Sequence, residues 1–539
     1  MLLQKIFGFT LTFAAASIPS LAQRDIGHIS IPSSSIPRSS DRGVRAHTNI
    51  ELYINDEPSS PVPDAETPAS IACVYQMVTT VSGCPIVGTV NLPQGGGIGN
   101  IIIVDAYDYP TAASDLAAFS TYYGLPQASL QVVYASGSKP AQDPTGGWEL
   151  EESLDIEWAH AMAPYASIYL VEAKSSSNSD LYAAEAVESG LAVGGIISNS
   201  WGTPEYSGEQ NNDSDFAVPG VLYIASVGDT TGILDYPAAS PNVIAAGGTQ
   251  INRNGSGDFT GESYWASDGG LCGNGGSGGI SLYESRPSYQ NGIASLVGSH
   301  RGTPDISSNA SGCSPVSIYD STPYEGQSGP WFAVLGTSVA SPTLAGRIMG
   351  GSGSLFNGGL AGAYGAASTN QMLTQLYNLY ASPSLYPEFF RDETSGAGSC
   401  VTGWDICDGI GSPLLDTWSF YVISRAITEG AEQVHCGELL NGQCIKPIDD
   451  TGTVTLTING NNYTVSYGGG STLQTVTSGL VTALNNAGIG VTASSAGRVF
   501  YLSSTSTSCY TACSSSKTNE PFYFSTPSFS VIVETPGCG

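Results

Sequence analysis

The sequence is poor in basic residues. Among 539 residues there are 16 lysines and arginines against 46 aspartates and glutamates, which gives a formal net charge of -30 at pH 7. Nucleic acids and anionic membranes are bound by clustered Lys and Arg, so we expect neither as a partner. Two interpretations of the acidity stay open. Few basic groups mean little positive self-repulsion once the carboxylates protonate, which suits acidic surroundings; alternatively, the charge only keeps the protein soluble.

Long apolar runs are also missing. No stretch reaches the ~18 apolar residues that a membrane-spanning helix needs. At the start of the chain, Lys5 precedes a short apolar run at 6–16, and Ser20-Leu21-Ala22 offers a small-residue cleavage site. This pattern predicts a secretory signal peptide over 1–22 and a soluble extracellular protein without membrane insertion.

Cysteine, in contrast, is not scarce. Eleven cysteines in an exported chain predict disulfides. Proximity suggests the pairs Cys73/Cys84, Cys272/Cys313, Cys400/Cys407, Cys436/Cys444 and Cys509/Cys513, with Cys538 left over. In a eukaryotic host, four Asn-x-Ser/Thr sites would carry glycans, at Asn212, Asn254, Asn309 and Asn462.

After the predicted signal peptide, residues 23–425 fall into two parts. Residues 23–70 are rich in Ser, Pro and Asp without apolar periodicity, which predicts a flexible leader or a short propeptide. From 71 to 425, strand-length apolar runs such as "NIIIVDA" (100–106) and "SIYLVEA" (167–173) alternate with helical stretches such as "ASDLAAFSTYYG". The alternation predicts an α/β domain with a mostly parallel sheet, helices on both faces, and functional groups at the carboxyl ends of the strands.

The residue pattern changes after the α/β domain. "LLDTWSFYVISRAI" (414–427) is expected to form the last helix of the α/β domain, and residues 426–450 a linker. In 451–539, "TGTVTLTINGNNYTVSYGGG" predicts a hairpin, and apolar spacing predicts a helix from Leu473 to Leu484 with Ser471 as its cap. We interpret 451–539 as a small β-rich α+β module.

Histidine is scarce, and this bears on the segment "LGTSVASPTLAG" (335–346). It is similar to the nucleophile turn of subtilisins, with Ser338 as the nucleophile, and a serine needs a base to take its proton. Of five histidines, His160 would be the base in such a triad, with Asp105 at the end of the "IIIVD" strand. Subtilisins, however, present this histidine as His-Gly-Thr, and no histidine here is followed by Gly.

Carboxylates offer an alternative base. Glu151 and Asp155 are four residues apart, so a helix would place both on one face. Two adjacent carboxyls do not ionise together readily, so the pair can hold a proton and act as a base in acid. Asp229, after the strand in "YIASVGDTTG", could donate a hydrogen bond to an oxyanion when protonated. A solvated acidic helix face and a turn-forming aspartate are the alternatives for these residues.

In order along the chain, these segments resemble the sedolisin family of serine-carboxyl peptidases, which have the subtilisin fold. The resemblance spans about residues 97 to 415 and is carried by E-x-x-x-D before "WAHAMAP", "SNSWGTPE" (198–205), "ASVGDTTG" (225–232), "YPAASPNVIAAGGT" (236–249), "GGSGGISLYESRPSYQ" (275–290), "RGTPDISSNAS" (301–311) and "GTSVASP" (336–342). It implies Ser338 as nucleophile, Glu151 as base, Asp155 as the carboxyl that supports the base, and Asp229 as oxyanion donor. Protein or peptide substrates and a monomer follow as expectations.

The resemblance also implies one structural calcium ion bound by "FFRDETSGAGSCVTGWDICDGIGSP" (389–413). The ligands would be the side chains of Asp392 and Asp405 and the carbonyls of Glu393, Val401 and Gly403, as suits a hard cation. Val401 stands where the family usually has Gly, and Glu393 where it has an aliphatic residue.

Two further departures leave other functions open. Members of the family generally carry a large folded propeptide, whereas here only residues 23–70 precede the peptidase domain, and Leu335 replaces a common Gly. The chain could instead be a catalytically weak protein on a protease fold whose C-terminal module binds a surface or a polymer. The third possibility is a neutral subtilase that uses His160.

Overall fold

The structure is a computed structural model, and it describes residues 28–54, 60–78, 80–86, 100–188, 195–267, 272–324, 330–350, 369–383, 386–396, 400–414, 421–441, 443–458, 460–487, 491–496, 499–504 and 512–534. The predicted signal peptide lies outside these residues. No helix in the described part of the chain is long and apolar enough to cross a membrane.

The helices are α1 (Pro68–Val74), α2 (Ala112–Tyr123), α3 (Gly147–Met162), α4 (Asn178–Glu188), α5 (Ala294–Val297), α6 (Thr337–Gly350), α7 (Thr369–Tyr380), α8 (Tyr386–Phe389) and α9 (Leu473–Asn485). The strands up to the nucleophile segment are β1 (His28–Ser30), β2 (His47–Thr48), β3 (Glu51–Ile54), β4 (Asn100–Ala106), β5 (Ser129–Tyr134), β6 (Ser167–Ala173), β7 (Gly195–Asn199), β8 (Trp201–Pro204), β9 (Val221–Ser226), β10 (Asp235–Tyr236), β11 (Ile244–Arg253), β12 (Phe259–Tyr264), β13 (Gly279–Ser285), β14 (His300–Thr303), β15 (Ile306–Asn309), β16 (Val316–Tyr319) and β17 (Trp331–Leu335). The later strands are β18 (Phe390–Arg391), β19 (Ser412–Pro413), β20 (Tyr421–Gly430), β21 (Val434–Leu440), β22 (Gln443–Asp449), β23 (Gly452–Ile458), β24 (Asn461–Tyr467), β25 (Val491–Ala496), β26 (Val499–Ser504), β27 (Ala512–Thr518) and β28 (Phe529–Glu534).

The predicted α/β architecture is confirmed. Seven strands follow one another in the order β12-β11-β9-β7-β4-β6-β5, and β15 also pairs with β11. All pairings of this sheet are parallel except that of β11 with β12. The "NIIIVDA" and "SIYLVEA" strands have the predicted bounds.

Both faces of the sheet are buried. Along β4, Ile101 and Ile103 belong to a core that includes residues of α3 and α6. The alternate residues Ile102 and Val104 belong to the core on the other face, which includes residues of α4. A strand buried on both faces needs apolar side chains at successive positions, which explains the unbroken run in the sequence.

Part of the predicted leader is ordered. In the segment 23–70, β3 pairs antiparallel with β17, the strand that leads to Ser338, and β2 pairs antiparallel with β8. Ile50 and Leu52 are buried. The described part of this segment is therefore packed rather than flexible, because its few apolar residues coincide with the positions that enter the core.

The C-terminal region contains the predicted hairpin, β23 with β24, and the predicted helix α9. The cap of α9 is Thr472 rather than Ser471. The end of the predicted helix at 414–427 is instead β20, which pairs with β26 and β28. The region thus joins strands on both sides of the predicted boundary at residue 451, including the hairpin β21–β22 in the predicted linker.

Four of the predicted disulfides are present, and they are Cys73–Cys84, Cys272–Cys313, Cys400–Cys407 and Cys436–Cys444. Cys509 and Cys538 lie outside the described residues.

Candidate active site

Ser338 lies in the first turn of α6, directly after β17 and Gly336. It is fully buried. Gly336 has φ +116°, and a Cβ there would come within 2.2 Å of the Asn49 carbonyl oxygen and 2.4 Å of Asp229 Oδ2. The turn before the serine therefore requires glycine, both for its backbone angle and for the close approach of these two oxygens.

Helix α3 brings the predicted carboxylate pair to the serine. Every residue of α3 is buried, and α3 packs against α6. Ser200, which follows β7, donates its hydroxyl to Asp155 Oδ1 at 2.7 Å. The same residue accepts from the nucleophile: Ser338 Oγ donates to the Ser200 carbonyl oxygen at 3.1 Å.

Glu151 lies beside Ser338 without a formed hydrogen bond. Ser338 is close enough to Glu151 to affect this carboxyl, but neither carboxylate oxygen has a hydrogen-bond partner among the described residues. The Ser338 hydroxyl is instead turned to the Ser200 carbonyl.

Burial and crowding raise the pKa values of these carboxyls. Burial raises the pKa of Glu151 well above its ordinary value, and Asp155 and Asp105 raise it further. Burial also raises the pKa of Asp155. Asp105, at the end of β4, has a pKa raised by burial, by Asp155 and by Glu172. Such a cluster titrates as a unit, so its carboxyls share protons and one of them can stay ionised while a neighbour is protonated.

Asp229 is held next to the nucleophile turn on its other side. Its Oδ1 accepts from the Thr337 backbone N–H and from Thr337 Oγ1, both at 2.7 Å. Its Oδ2 has no hydrogen-bond partner in the described part of the chain and lies against Gly336. Burial raises the pKa of Asp229 well above its ordinary value, and Glu51 raises it further. When Asp229 is protonated, this free oxygen is available to donate a hydrogen bond.

Sequence reasoning missed Glu51. It lies on β3, is buried, and burial raises its pKa to about 7. The signal was weak because Glu51 belongs to a segment whose Ser, Pro and Asp content suggested a leader.

His160 does not reach the nucleophile. It lies near the end of α3, and its Nε2 is 3.0 Å from the Pro126 carbonyl oxygen, while its Nδ1 has no hydrogen-bond partner among the described residues. Burial lowers its pKa. The structure thus brings Ser338 together with Glu151, Asp155 and Asp229, and places the imidazole elsewhere.

Of the predicted calcium ligands, Val401, Gly403 and Asp405 lie in the loop closed by the Cys400–Cys407 disulfide, and Asp392 and Glu393 precede this loop in the sequence. Asp405 accepts from the backbone N–H groups of Val401 (2.6 Å) and Cys407 (2.8 Å), and Asp392 Oδ2 accepts from that of Gly403 (2.9 Å).

Asp408, which sequence reasoning did not select, adds a third carboxylate to this loop. Burial raises the pKa of Asp408, and Asp405 and Asp392 raise it further. Asp392 Oδ1 and Asp408 Oδ1 are buried without a hydrogen-bond partner among the described residues. Clustered carboxylates with unpaired buried oxygens fit a hard cation. Sulfur ligands are not offered, because both cysteines of the loop are oxidised.

This chain is similar to several known proteins. Residues 141–349 match the sequence model of the Subtilase family. Kumamolisin of Bacillus sp. (strain MN-32) is 30% identical over 393 residues, which cover 66% of this chain and 63% of kumamolisin. Sedolisin of Pseudomonas sp. (strain 101) is 27% identical over 376 residues, which cover 60% of each chain.

A solved structure shares the fold. Pseudomonas sedolisin, a serine-carboxyl proteinase complexed with two molecules of pseudo-iodotyrostatin, has a TM-score of 0.51 and 24% identity, over 65% of this chain and 95% of that chain. The parallel sheet and the buried serine at a helix start give this chain a subtilisin-like fold, as in that structure. Its sequence is similar to those of kumamolisin and sedolisin. It spans a little over 60% of kumamolisin and 60% of sedolisin.

Proposed function

We propose that this protein is a secreted peptidase that hydrolyses peptide bonds in acid through an acyl-enzyme on Ser338. The observation that carries the proposal is the position of Ser338 between the Glu151–Asp155 pair and the free oxygen of Asp229. No imidazole takes part in this set of groups, so the base does not become blocked by protonation near pH 6 as a histidine does.

In the first step, Ser338 Oγ attacks the carbonyl carbon of the substrate, and its proton passes to Glu151. Asp155 supports Glu151 as the second carboxyl of the pair. The Ser200 hydroxyl donates a hydrogen bond to Asp155 and holds it in place. The oxyanion forms beside Gly336, where the Ser338 backbone N–H and the protonated Asp229 donate to it.

In the second half of the reaction, Glu151 returns the proton to the departing amine and an acyl-enzyme remains. Water then attacks the acyl carbon, with Glu151 again as base, and releases a carboxylic acid and free Ser338. Both halves use the same donors, so no group has to move between them.

The proposal predicts that the protein cleaves an unfolded protein such as casein at a pH of about 3–5. The Ser338→Ala variant should lack this activity. Ser341→Ala is the matched control, because Ser341 lies on the same helix but its hydroxyl contacts Ser198 at 2.9 Å. His160→Gln should also keep the activity. Activity that survives Ser338→Ala, or that disappears in His160→Gln with an intact fold, would contradict the mechanism.

Export is supported by two observations. Residues 1–22 have the pattern of a signal peptide, and the described residues contain four disulfides, which persist in oxidising compartments. We therefore infer an extracellular protein that acts on protein or peptide substrates.

We further infer that the loop at 392–408 binds one calcium ion that stabilises the fold. Asp392, Asp405 and Asp408 supply the negative charge, and the resemblance adds carbonyls of Glu393, Val401 and Gly403. Calcium at millimolar concentration should raise the melting temperature of the Ser338→Ala protein relative to EDTA, by several degrees.

Asp405→Asn should abolish this calcium effect on the melting temperature. Asp449→Asn, a change at an exposed aspartate on β22, should preserve it. An equal calcium effect in all three proteins would place the ion elsewhere.

A further inference from the structure

A cavity of about 420 Å³ lies at the start of α3. It is lined by the loop before the helix, by the first turn of the helix and by the segment after β16, with contributions from residues 142–146, Glu149, Thr322 and Pro323. Two of these side chains are carboxylates, and none of the described lining residues is a lysine or an arginine. This lining favours a cationic ligand over an anionic one.

The Glu149 carboxylate has one oxygen without a partner. Its Oε1 accepts from the Asp143 backbone N–H at 3.1 Å. Its Oε2 is buried and has no hydrogen-bond partner among the described residues, and the residue as a whole is only 1% exposed. A buried carboxylate oxygen without a donor is unfavourable, so a ligand that brings N–H donors into the cavity would stabilise it.

Asp320, next to the cavity, has a second oxygen of this kind. Its Oδ1 accepts from the backbone N–H of Thr322 at 2.7 Å, whereas its Oδ2 is buried without a hydrogen-bond partner in the described part of the chain. Burial, together with Asp143 and Asp320, raises the pKa of Glu149 to about 8. Among the described residues, none of these three carboxyls takes part in an ion pair. Their negative charge is therefore available to a bound cation.

The helix start itself does not offer an anion site. The backbone N–H groups of Gly147 and Trp148 donate to Asp143 Oδ2, at 3.0 Å and 3.2 Å. Thr145 Oγ1 donates to the same oxygen at 2.6 Å. Because the protein's own carboxylate already accepts from these groups, they are not available to an anionic ligand.

The cavity is within reach of a substrate bound at the nucleophile. Glu149 precedes the proposed base Glu151 by two residues of α3, which is about 3 Å along the helix axis. Glu151 in turn lies close to Ser338. An extended peptide covers about 13 Å with four residues. A substrate residue within four positions of the scissile bond can therefore place its side chain or its amino terminus in the cavity.

We propose that this cavity is a substrate subsite for a primary ammonium group, and that Glu149 is its specificity-determining residue. The inference rests on the proposed function. The ammonium group donates to Glu149 Oε2, and the neighbouring Asp143 and Asp320 add to the negative potential that attracts it. A lysine side chain and the α-amine of a short peptide both carry this group, so the two sources share one chemistry.

Binding of the ammonium group should be coupled to the release of a proton. The titratable groups that face Glu149 are Asp143 on the loop before α3, Glu152 on α3 itself and Asp320 after β16, and all of them are carboxyls. A cation placed beside Glu149 lowers the pKa of this group, which then binds the ligand in its ionised form. The preference for a charged substrate should therefore increase as the pH rises from about 4 to about 6.

The test compares peptides that differ only in charge. One series carries a single lysine at each of the four positions on either side of the cleaved bond, and its twin carries acetyl-lysine, which removes the charge, at the same position. A second pair of peptides has a free or an acetylated amino terminus. For the charged member at one position we expect kcat/KM to be at least tenfold higher, mainly through a lower KM. The series in which this occurs identifies the source of the ammonium group.

Three variants assign the preference to the cavity. Glu149→Gln keeps the shape of the side chain and removes its charge, so it should reduce the preference at least tenfold and abolish its pH dependence. Glu438→Gln is the matched control at an exposed glutamate of β21 and should retain both. If Glu149→Gln does not fold, Gln142→Glu adds a charge at an exposed residue of the cavity lining and should increase the preference instead.

The outcomes separate this inference from the proposed function. Peptides that are cleaved with equal kcat/KM in charged and acetylated form at every position would overturn the subsite and leave the peptidase function intact. A preference that Glu149→Gln retains would place the ammonium group elsewhere and would also overturn it. If no peptide of either series is cleaved, the proposed function fails and this inference fails with it.

Discussion

At the scale of single residues, the proposed chemistry needs one carboxyl that is protonated and another that can accept a proton. Asp229 illustrates this, because only its protonated form can donate to an oxyanion, and burial raises its pKa above the ordinary carboxyl range. Its deprotonation would set the upper pH limit of activity, whereas protonation of the Glu151–Asp155 pair would set the lower limit.

The pair Asp229→Asn and Asp229→Ala tests this role. Alanine removes the donor and should lower kcat by about 10²–10³. Asparagine keeps an acceptor for Thr337 and offers an N–H donor at every pH, so it should retain much more activity and extend the pH–rate profile upward. Equal losses in both variants, or an unchanged upper limb with asparagine, would show that Asp229 does not act as the oxyanion donor.

The sequence predicted these residues to different degrees. The four-residue spacing of Glu151 and Asp155 follows from helix periodicity, and Asp229 follows from its place after a strand. Glu51 could not be predicted, because its place near the site comes from strand pairing with β17 rather than from local pattern. Such non-local contacts leave no periodic signal in a segment of low hydrophobicity.

At the scale of elements, the contact of α3 with α6 brings together Glu151 and Ser338, the proposed base and nucleophile. α6 carries Ser338 in its first turn, and α3 carries Glu151 in its second. The helices approach closely at Gly346, where a Cβ would come within 2.6 Å of Met162 Cβ and 2.7 Å of the Ala159 carbonyl oxygen. The small residue on α6 thus sets the distance between the helices.

Gly346→Ala should therefore destabilise the protein. In an open helix this change is stabilising by up to about 1 kcal/mol, but the clash here should cost about 1–3 kcal/mol. The measurement is urea unfolding at pH 4 in the Ser338→Ala background. Gly292→Ala is the control, since a Cβ at Gly292 meets nothing within 4 Å. A Gly346→Ala protein as stable as this control would contradict the close approach.

Prediction of elements from sequence succeeded where apolar runs are buried by their neighbours along the chain. It failed at 414–427, where an apolar run was expected to form a helix. The run Tyr421–Gly430 is instead a strand between β26 and β28, whose partners lie about 75 to 110 residues further on. A short apolar run does not distinguish the two forms by itself, and distant partners decided the outcome.

At the scale of the whole molecule, both the acidic composition and the burial of carboxyls favour stability at low pH. Burial raises the pKa of Glu149, Glu172 and Glu185 to about 8 each. These groups bind more protons in the folded than in the unfolded protein between their ordinary pKa of 4.5 and about 8. Stability should therefore be fullest below pH 4.5 and fall as the pH rises toward 8. Burial lowers the pKa of His160, so this group makes the folded protein less stable below its ordinary pKa of 6.5. It is a single group, whereas three glutamates act in the other direction.

The expected result is a melting temperature of the Ser338→Ala protein that is higher at pH 4 than at pH 8. Each retained proton contributes a slope of at most about 1.4 kcal/mol per pH unit to the free energy of unfolding. Glu185→Gln keeps the shape of a fully buried side chain but removes its titration, so the slope between pH 5 and 7 should become shallower. Glu388→Gln, a change at an exposed glutamate, should leave the slope as it is. A melting temperature that rises from pH 4 to 8 would show that the buried carboxyls ionise freely in the folded state, and the proposed adaptation of this peptidase to acid would lose its physical basis.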